Sequence, residues 1–285
     1  MYLAKALDLL AKVSLAKLTN TFGPRIVKNG SCNFNEPIFM IGCPRSGTSI
    51  SAQILGSHPD IAMWSEAGRV WDNKHFYDGQ ASHLWESTDL TKQDEKRIKG
   101  AFYLYKKILR KERLLNKHPR NSLRIDYIKE IFPTSLFVHV VRHPIPVVES
   151  LRRRSESIWR SNFPFGLFCK PPDWEDYINE PEVVKHSHQW REIVKYVVDV
   201  SENYDDSFMT IKYENLCADP ANEVKRFSSF SGLNSSKYPD NLKSSFSTRN
   251  RNFKAKNNLT EEERHKIWDI VQDTAKHFGY ERDEL

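Results

Sequence analysis

Two short runs along the chain are apolar without alternation, a third segment is a further strand candidate, and helical periodicity returns after each. Pro37 to Cys43 carries Ile38-Phe39-Met40-Ile41, Leu136 to Val141 is continuously apolar, and Ser207 to Tyr213 precedes a helical pattern from Asn222 to Phe230. A run of this kind is what a strand buried on both faces of a parallel sheet looks like. Strand then helix, repeated, predicts an α/β fold with a central, mainly parallel sheet flanked by helices. Ile61 to Trp64 is a further, shorter strand-like run. Helices rich in Lys, Arg and Glu are predicted at Thr91 to Leu114, Val183 to Val200 and Thr260 to Phe278, and in the last Thr260 and Glu263 stand at capping-box spacing. Arg69 to Thr88 and Ser157 to Pro181 hold aromatics and prolines without clean periodicity. They are predicted to leave the sheet and shape a substrate pocket, with Trp71, Trp85, Trp159, Phe163, Phe165 and Trp174 as its aromatic surfaces.

At the N-terminus, Leu3, Ala6, Leu7, Leu10 and Val13 recur at helical spacing beside Lys5, Asp8, Lys12 and Lys17. Residues 1–27 therefore read as an amphipathic helix and its connection, and residues 37–280 as one domain. Such a helix either packs on its own domain or lies on a membrane as a peripheral contact. Its charges interrupt any signal-peptide or membrane-spanning run. The composition, 39% hydrophobic and 28% charged, excludes a disordered chain. A net charge of +6 is compatible with nucleic acid, an anionic membrane or a phosphorylated cofactor, and selects none of them. Cys32, Cys43, Cys169 and Cys217 form no C-x-x-C pair, so no metal site is expected and a reducing, cytoplasmic setting is favoured. The terminal Arg-Asp-Glu-Leu resembles an ER-retrieval tail; with no entry signal it reads as coincidence, and a secretory lumen stays open.

Two segments carry chemistry. Cys43-Pro44-Arg45-Ser46-Gly47-Thr48-Ser49 follows the first buried strand and leads into a helix from Ile50 to Gly56. Strand, tight loop and helix N-terminus aim backbone N–H groups at one spot, where the helix dipole also favours an anion. Gly47 permits close approach, Arg45 offers a guanidinium, and Thr48 and Ser49 offer hydroxyls. The first glycine and the lysine of G-x-x-x-x-G-K-[ST] are absent, which disfavours a nucleotide hydrolase. The second segment, Val140-Val141-Arg142-His143-Pro144, ends the second strand and enters a helix along which Ser150 and Arg154 share a face with Pro146. Arg142, Ser150 and Arg154 together suit a second phosphate; a solvated basic run, Arg152 to Arg154, is the plain alternative.

These residues resemble the sulfotransferases that use 3′-phosphoadenosine 5′-phosphosulfate, most closely the tyrosylprotein branch and its bacterial relatives. Pro44 to Ser49 resembles the family's 5′-phosphosulfate loop, and Val141-Arg142-His143-Pro144 with Ser150 resembles its 3′-phosphate motif. His58-Pro59-Asp60 with Glu66, Asn116-Lys117-His118-Pro119, Ile131-Phe132-Pro133 and Tyr213-Glu214-Asn215-Leu216 match in order, so the resemblance spans about Pro37 to Leu233. It implies a P-loop-like domain. Arg45, Ser46, Gly47, Thr48 and Ser49 would hold the 5′-phosphosulfate. Arg142 and Ser150 would hold the 3′-phosphate, with Arg154 a further contact and Tyr213 a cofactor-contacting tyrosine. Glu66 would be the general base and Lys117 the cation that offsets charge at the leaving group. His58, His75 and His139 are reserve candidates for the base, and Ser247 to Lys256 for a basic strip over the donor. The product would be adenosine 3′,5′-bisphosphate and the acceptor a hydroxyl, on a carbohydrate or glycolipid first and a peptide tyrosine next, with no nucleic acid partner. The rivals are an ATP-dependent phosphotransferase and a non-catalytic acidic-glycan binder.

Overall fold

A computed structural model describes residues 17–25, 27, 32, 34–72, 82–156, 163, 165, 169–242, 246 and 249–284. Leu3 to Val13, His75, Trp159 and the terminal Leu285 lie outside them, as does part of the Ser247 to Lys256 segment.

Among the described residues five strands form one parallel sheet in the order β2-β3-β1-β4-β5. They are β1 (Ile38–Ile41), β2 (Ile61–Ser65), β3 (Arg113–Lys117), β4 (Leu136–Val141) and β5 (Phe208–Lys212). The helices are α1 (Thr48–Leu55), α2 (Gly68–Trp71), α3 (Lys92–Ile108), α4 (Ile125–Ile131), α5 (Pro144–Ser155) and α6 (Glu182–Ser201). Beyond β5 come α7 (Tyr213–Ala218), α8 (Pro220–Ser231), α9 (Lys254–Asn258) and α10 (Glu261–His277). The α/β expectation holds, and so do the predicted strands to within about one or two residues at each end.

Central β1 is buried along its whole length, and its residues alternate between two apolar layers. Phe39 and Ile41 join an aromatic cluster with Trp64, Trp71 and Phe102, while Ile38 and Met40 join Leu115, Val138 and Ile211 on the other face. Because β3 and β4 flank β1 on opposite sides, the connections diverge at its carboxyl end. In open α/β sheets that divergence leaves the ligand crevice.

Helix α3 ends at Ile108 instead of running to Leu114, and the chain then makes β3, which the hydrophobic pattern does not reveal. Its sequence, Arg-Leu-Leu-Asn-Lys, has no long apolar run, yet every residue is buried. Specific partners make this possible. Arg113 donates to the carbonyls of Glu36 and Ser231, and Asn116 donates to Trp64 O at 2.7 Å and accepts from Trp71 Nε1 at 2.9 Å. Long-range hydrogen bonds thus replace apolar content.

The aromatic excursions are also corrected. Trp71 sits in the core beside Phe39, and Phe165 and Trp174 are buried against each other, so none of the three is an open pocket wall. Trp85 and Phe163 are half-buried. At the N-terminal side, residues 17–25 are helical and press on α3. A Cβ at Gly23 would stand 2.5 Å from the Gly100 backbone, and Asn20 Nδ2 donates to Arg69 O at 2.9 Å. Among the described residues no helix is long and apolar enough to cross a membrane.

Candidate active site

The turn after β1 is held by two glycines that other residues cannot replace. Gly42 has φ +144°, and a Cβ there would lie 2.3 Å from Val140 O; Gly47 has φ +95°, and a Cβ there would lie 2.4 Å from the Tyr213 ring. Between them Arg45 adopts φ 74°, a left-handed conformation that side-chain-bearing residues seldom take outside functional loops. Helix α1 then begins with no side-chain cap and no acidic residue in its first turn. Its leading N–H groups face the loop, and the buried Ser46 Oγ has no hydrogen-bond partner among the described residues. An uncapped eight-residue helix and an unsatisfied buried hydroxyl fit an anionic phosphate group. Thr48 is buried and Ser49 exposed on the same turn.

The two motifs meet directly. Arg45 Nε donates to Ser150 Oγ at 2.9 Å, across 105 residues, and Arg142 Nη1 donates to Arg45 O at 3.2 Å. The Arg142 guanidinium stacks over the Tyr213 ring at 4.5 Å, and burial lowers its pKa, opposed by Tyr213 and Glu214. Tyr213, whose hydroxyl burial pushes up to about 12, thus packs against both Gly47 and Arg142. Arg154, one turn beyond Ser150, is exposed. Its neighbours Arg152 and Arg153 are ion-paired to Glu263 and Glu149, and Arg153 stays 60% exposed.

Residues outside the recognised motifs complete this edge. Arg142 Nε donates to Asn252 Oδ1 at 2.9 Å, and Asn252 Nδ2 donates to Glu214 Oε1 at 2.8 Å. Glu214 also accepts from the His143 backbone N–H and from the Tyr280 hydroxyl. Asn252 lies in the basic segment expected near the donor, although it is an amide and not a lysine or arginine that makes the contact, so charge counting overlooks it. Tyr280 has no sequence signal of its own.

One strand away from β1, the ends of β2 and β3 bring Glu66 and Lys117 together. Ser65 and Lys117 are in register, the Glu66 N–H donates to Lys117 O at 2.7 Å, and Lys117 Nζ donates to Glu66 Oε1 at 2.6 Å. The lysine is 1% exposed and the carboxylate 63% exposed, so a buried cation presents a carboxylate to incoming molecules. Glu66 has φ 55°, a second left-handed residue at the sheet edge. This edge is locked to the loop after β1: Ser122 Oγ accepts from Gly42 N at 2.8 Å and donates to Gly42 O. Two of the reserve histidines, His58 and His139, lie elsewhere. His58 precedes β2, where Nε2 meets Asn234 O and Nδ1 accepts from Asp60 N. His139 is inside β4, its pKa pushed down to about 4 by burial.

A loop suited to an anion at the switch point of a parallel sheet, joined to a second strand end that carries Arg142 and with a Lys–Glu pair one strand away, is the arrangement of an α/β protein suited to phosphorylated ligands. The chain belongs to the sulfotransferase family, whose model matches residues 37–237. A candidate protein-tyrosine sulfotransferase of Caenorhabditis briggsae is 23% identical over 208 residues, covering 70% of this chain and 67% of that protein. The omega-hydroxy-beta-dihydromenaquinone-9 sulfotransferase Stf3 of Mycobacterium tuberculosis is 27% identical over 126 residues, 44% of this chain but only 30% of the relative. Among solved structures, the sulfotransferase domain of the Synechococcus PCC 7002 olefin synthase superposes with TM-score 0.52 and 19% identity, covering 89% of this chain and 98% of that domain. Sulfotransferase STF9 of Mycobacterium avium superposes with TM-score 0.55 and 14% identity, covering 93% of this chain and 82% of that one. At such identities these two similarities establish the fold.

Proposed function

We propose that the chain moves a sulfuryl group from 3′-phosphoadenosine 5′-phosphosulfate to a carbohydrate or glycolipid hydroxyl, releasing adenosine 3′,5′-bisphosphate. One observation carries this reading: Arg45 joins two anion-receiving strand ends, and the Glu66–Lys117 pair stands beside them. The donor, when bound, supplies the sulfuryl group and a bisphosphate leaving group. Arg45, Ser46, Gly47, Thr48 and Ser49, with the first N–H groups of α1, hold the 5′ end. Arg142 and Ser150 hold the 3′-phosphate, Arg154 adds an outer contact, and Tyr213 walls the site beneath Gly47.

Glu66 accepts the acceptor's hydroxyl proton as the new oxygen–sulfur bond forms and the bond from sulfur to the phosphate oxygen breaks. Lys117 meets the negative charge that gathers on that oxygen, a positioned cation in a dry setting. Its ion pair with Glu66 holds the carboxylate oriented until the acceptor arrives.

A peptide tyrosine is the second acceptor class, favoured by the 208-residue similarity to the nematode protein. Screening neutral and acidic oligosaccharides, glycolipids and tyrosine peptides with radiolabelled donor separates the classes. Label on the sugar-containing acceptors is the expected outcome; label on peptide alone reassigns the acceptor. A thermal-shift comparison tests the donor. The bisphosphate should raise the melting temperature more than ATP with magnesium does, and the reverse order would favour the phosphotransferase reading.

A further inference from the structure

Past Lys117 the chain enters the 3-10 turn Pro119–Leu123, and His118, Arg120 and Arg124 are all buried there, Arg124 at 0% exposure. Two other segments close on the same volume. Lys170 is buried, its backbone N–H donates to His83 Nδ1 at 2.8 Å, and the Trp85 N–H donates to Leu123 O at 3.0 Å. Burial first, and then the charges of Arg120, Arg124 and Lys170, keep His83 well below its ordinary pKa. His118 is lowered in the same way, by burial first and then by Arg124, Arg120 and Lys117. The cationic volume is therefore continuous with the lysine of the Lys117–Glu66 pair.

Arg124 is the anomaly in it. Its guanidinium face stacks on the Trp85 ring at 3.5 Å, yet Nε, Nη1 and Nη2 have no hydrogen-bond partner among the described residues. Burial and Arg120 push its pKa down to about 9, opposed by Asp72, so it remains a cation at neutral pH. Stacking satisfies the face of a guanidinium and leaves the planar fork of N–H donors along its edge. A buried cation with unmade hydrogen bonds, next to other cations, is costly unless it serves a ligand. The fork geometry selects a carboxylate or a phosphate.

We propose that Arg124, with Arg120 and Lys170, forms an anion subsite for the acceptor. The acceptor then carries a carboxylate, phosphate or sulfate near its reacting hydroxyl, as an acidic sugar does. The proposal rests on Glu66 and Lys117 being the reacting pair, because the Ser122–Gly42 and Glu66–Lys117 contacts hold this segment between the donor loop and Glu66. It also gives the cluster a role that an uncharged acceptor would leave unfilled.

The test uses the full chain saturated with adenosine 3′,5′-bisphosphate. Calorimetric binding of glucuronate and glucose 6-phosphate is compared with that of glucose, with inorganic phosphate as a fourth probe. Both acidic sugars should bind at least about tenfold more tightly than glucose, and Arg124→Met should remove most of that preference, up to about a hundredfold, while bisphosphate affinity stays within about twofold. Lys170→Met should weaken the preference in the same direction, and it stands in if Arg124→Met fails to fold. Equal binding of acidic and neutral sugars, or a preference that survives in folded Arg124→Met and Lys170→Met, overturns the proposal. So does inorganic phosphate that binds without competing with the acidic sugars, since the site would then not belong to an acceptor. Binding here needs no turnover, so a failure of sulfuryl transfer is read separately. Transfer confined to neutral acceptors would leave the proposed function standing and remove the subsite.

Discussion

At the end of β1 the groups suited to an anion come from consecutive residues, Gly42 to Ser49, and much of the device is backbone. At the ends of β2 and β3 the comparable groups are side chains 51 residues apart, brought together by strand register alone. The first edge is enforced by sterics: two positive-φ glycines, each with a neighbour under 2.5 Å from where a Cβ would sit. The second edge is enforced by burial: a lysine at 1% exposure with its ammonium on a carboxylate that faces outward. A backbone cradle binds whatever anion fits it, whereas a paired carboxylate and ammonium can also accept a proton and offset charge. On the proposed function, binding therefore belongs to the first edge and chemistry to the second.

The sharpest way to break that division is Glu66→Gln. It is nearly isosteric and removes the proton acceptor, so kcat should fall by about a thousandfold or more, within the range for loss of general-base catalysis, while bisphosphate affinity stays nearly unchanged. Single-turnover assays with calorimetry on the same preparation check both halves. Near-normal turnover would move the base elsewhere; a large loss of bisphosphate binding would mean the two edges are not separable.

On the binding edge, Arg142→Ala should weaken the bisphosphate by about a hundredfold, the scale for losing a buried charge-assisted contact, and should matter much less for a nucleotide without a 3′-phosphate. Equal losses for both nucleotides would argue against the 3′-phosphate role. Gly47→Ala is next in size. The new methyl would meet the Tyr213 ring at 2.4 Å in a conformation that alanine resists, so donor affinity should drop by about tenfold, with a lower melting temperature. Pairing it with Tyr213→Ala sharpens the reading: if the clash dominates, the double variant recovers part of the loss, and if φ dominates it does not.

How much of this can be read from the sequence follows the same division. The loop after β1 is legible because a strand, Gly47 and a helix start lie within a dozen residues, and local sterics write themselves into local sequence. Strands β1, β4 and β5 are legible from their apolar runs, and α10 from its capping box. β3 is not: its burial depends on Arg113 and Asn116 finding carbonyls and an indole contributed by Glu36, Ser231, Trp64 and Trp71. For the same reason Glu66 and Lys117 come from a family resemblance and not from their own surroundings, which in sequence look like those of any surface pair. The aromatic residues mislead because Trp71 and Phe165 carry no mark separating a core indole or phenyl ring from a pocket wall.

Asn252 supplies the smallest and most discriminating test of the comparison. It reaches the binding edge from outside the span matched by the family, and its contact there is with the Arg142 guanidinium. Its Oδ1 accepts from Arg142 Nε while its Nδ2 donates to Glu214, whose other oxygen takes the Tyr280 hydroxyl. If this relay acts by aiming Arg142, then Asn252→Ala should raise the bisphosphate Kd by about fivefold to tenfold, the worth of one hydrogen bond to a charged group. In an Arg142→Ala background the same change should add almost nothing, because a residue that works through Arg142 has nothing left to aim. Additive losses in that double-mutant cycle would show that Asn252 meets the nucleotide on its own account, and the binding edge would then extend well into the C-terminal segment.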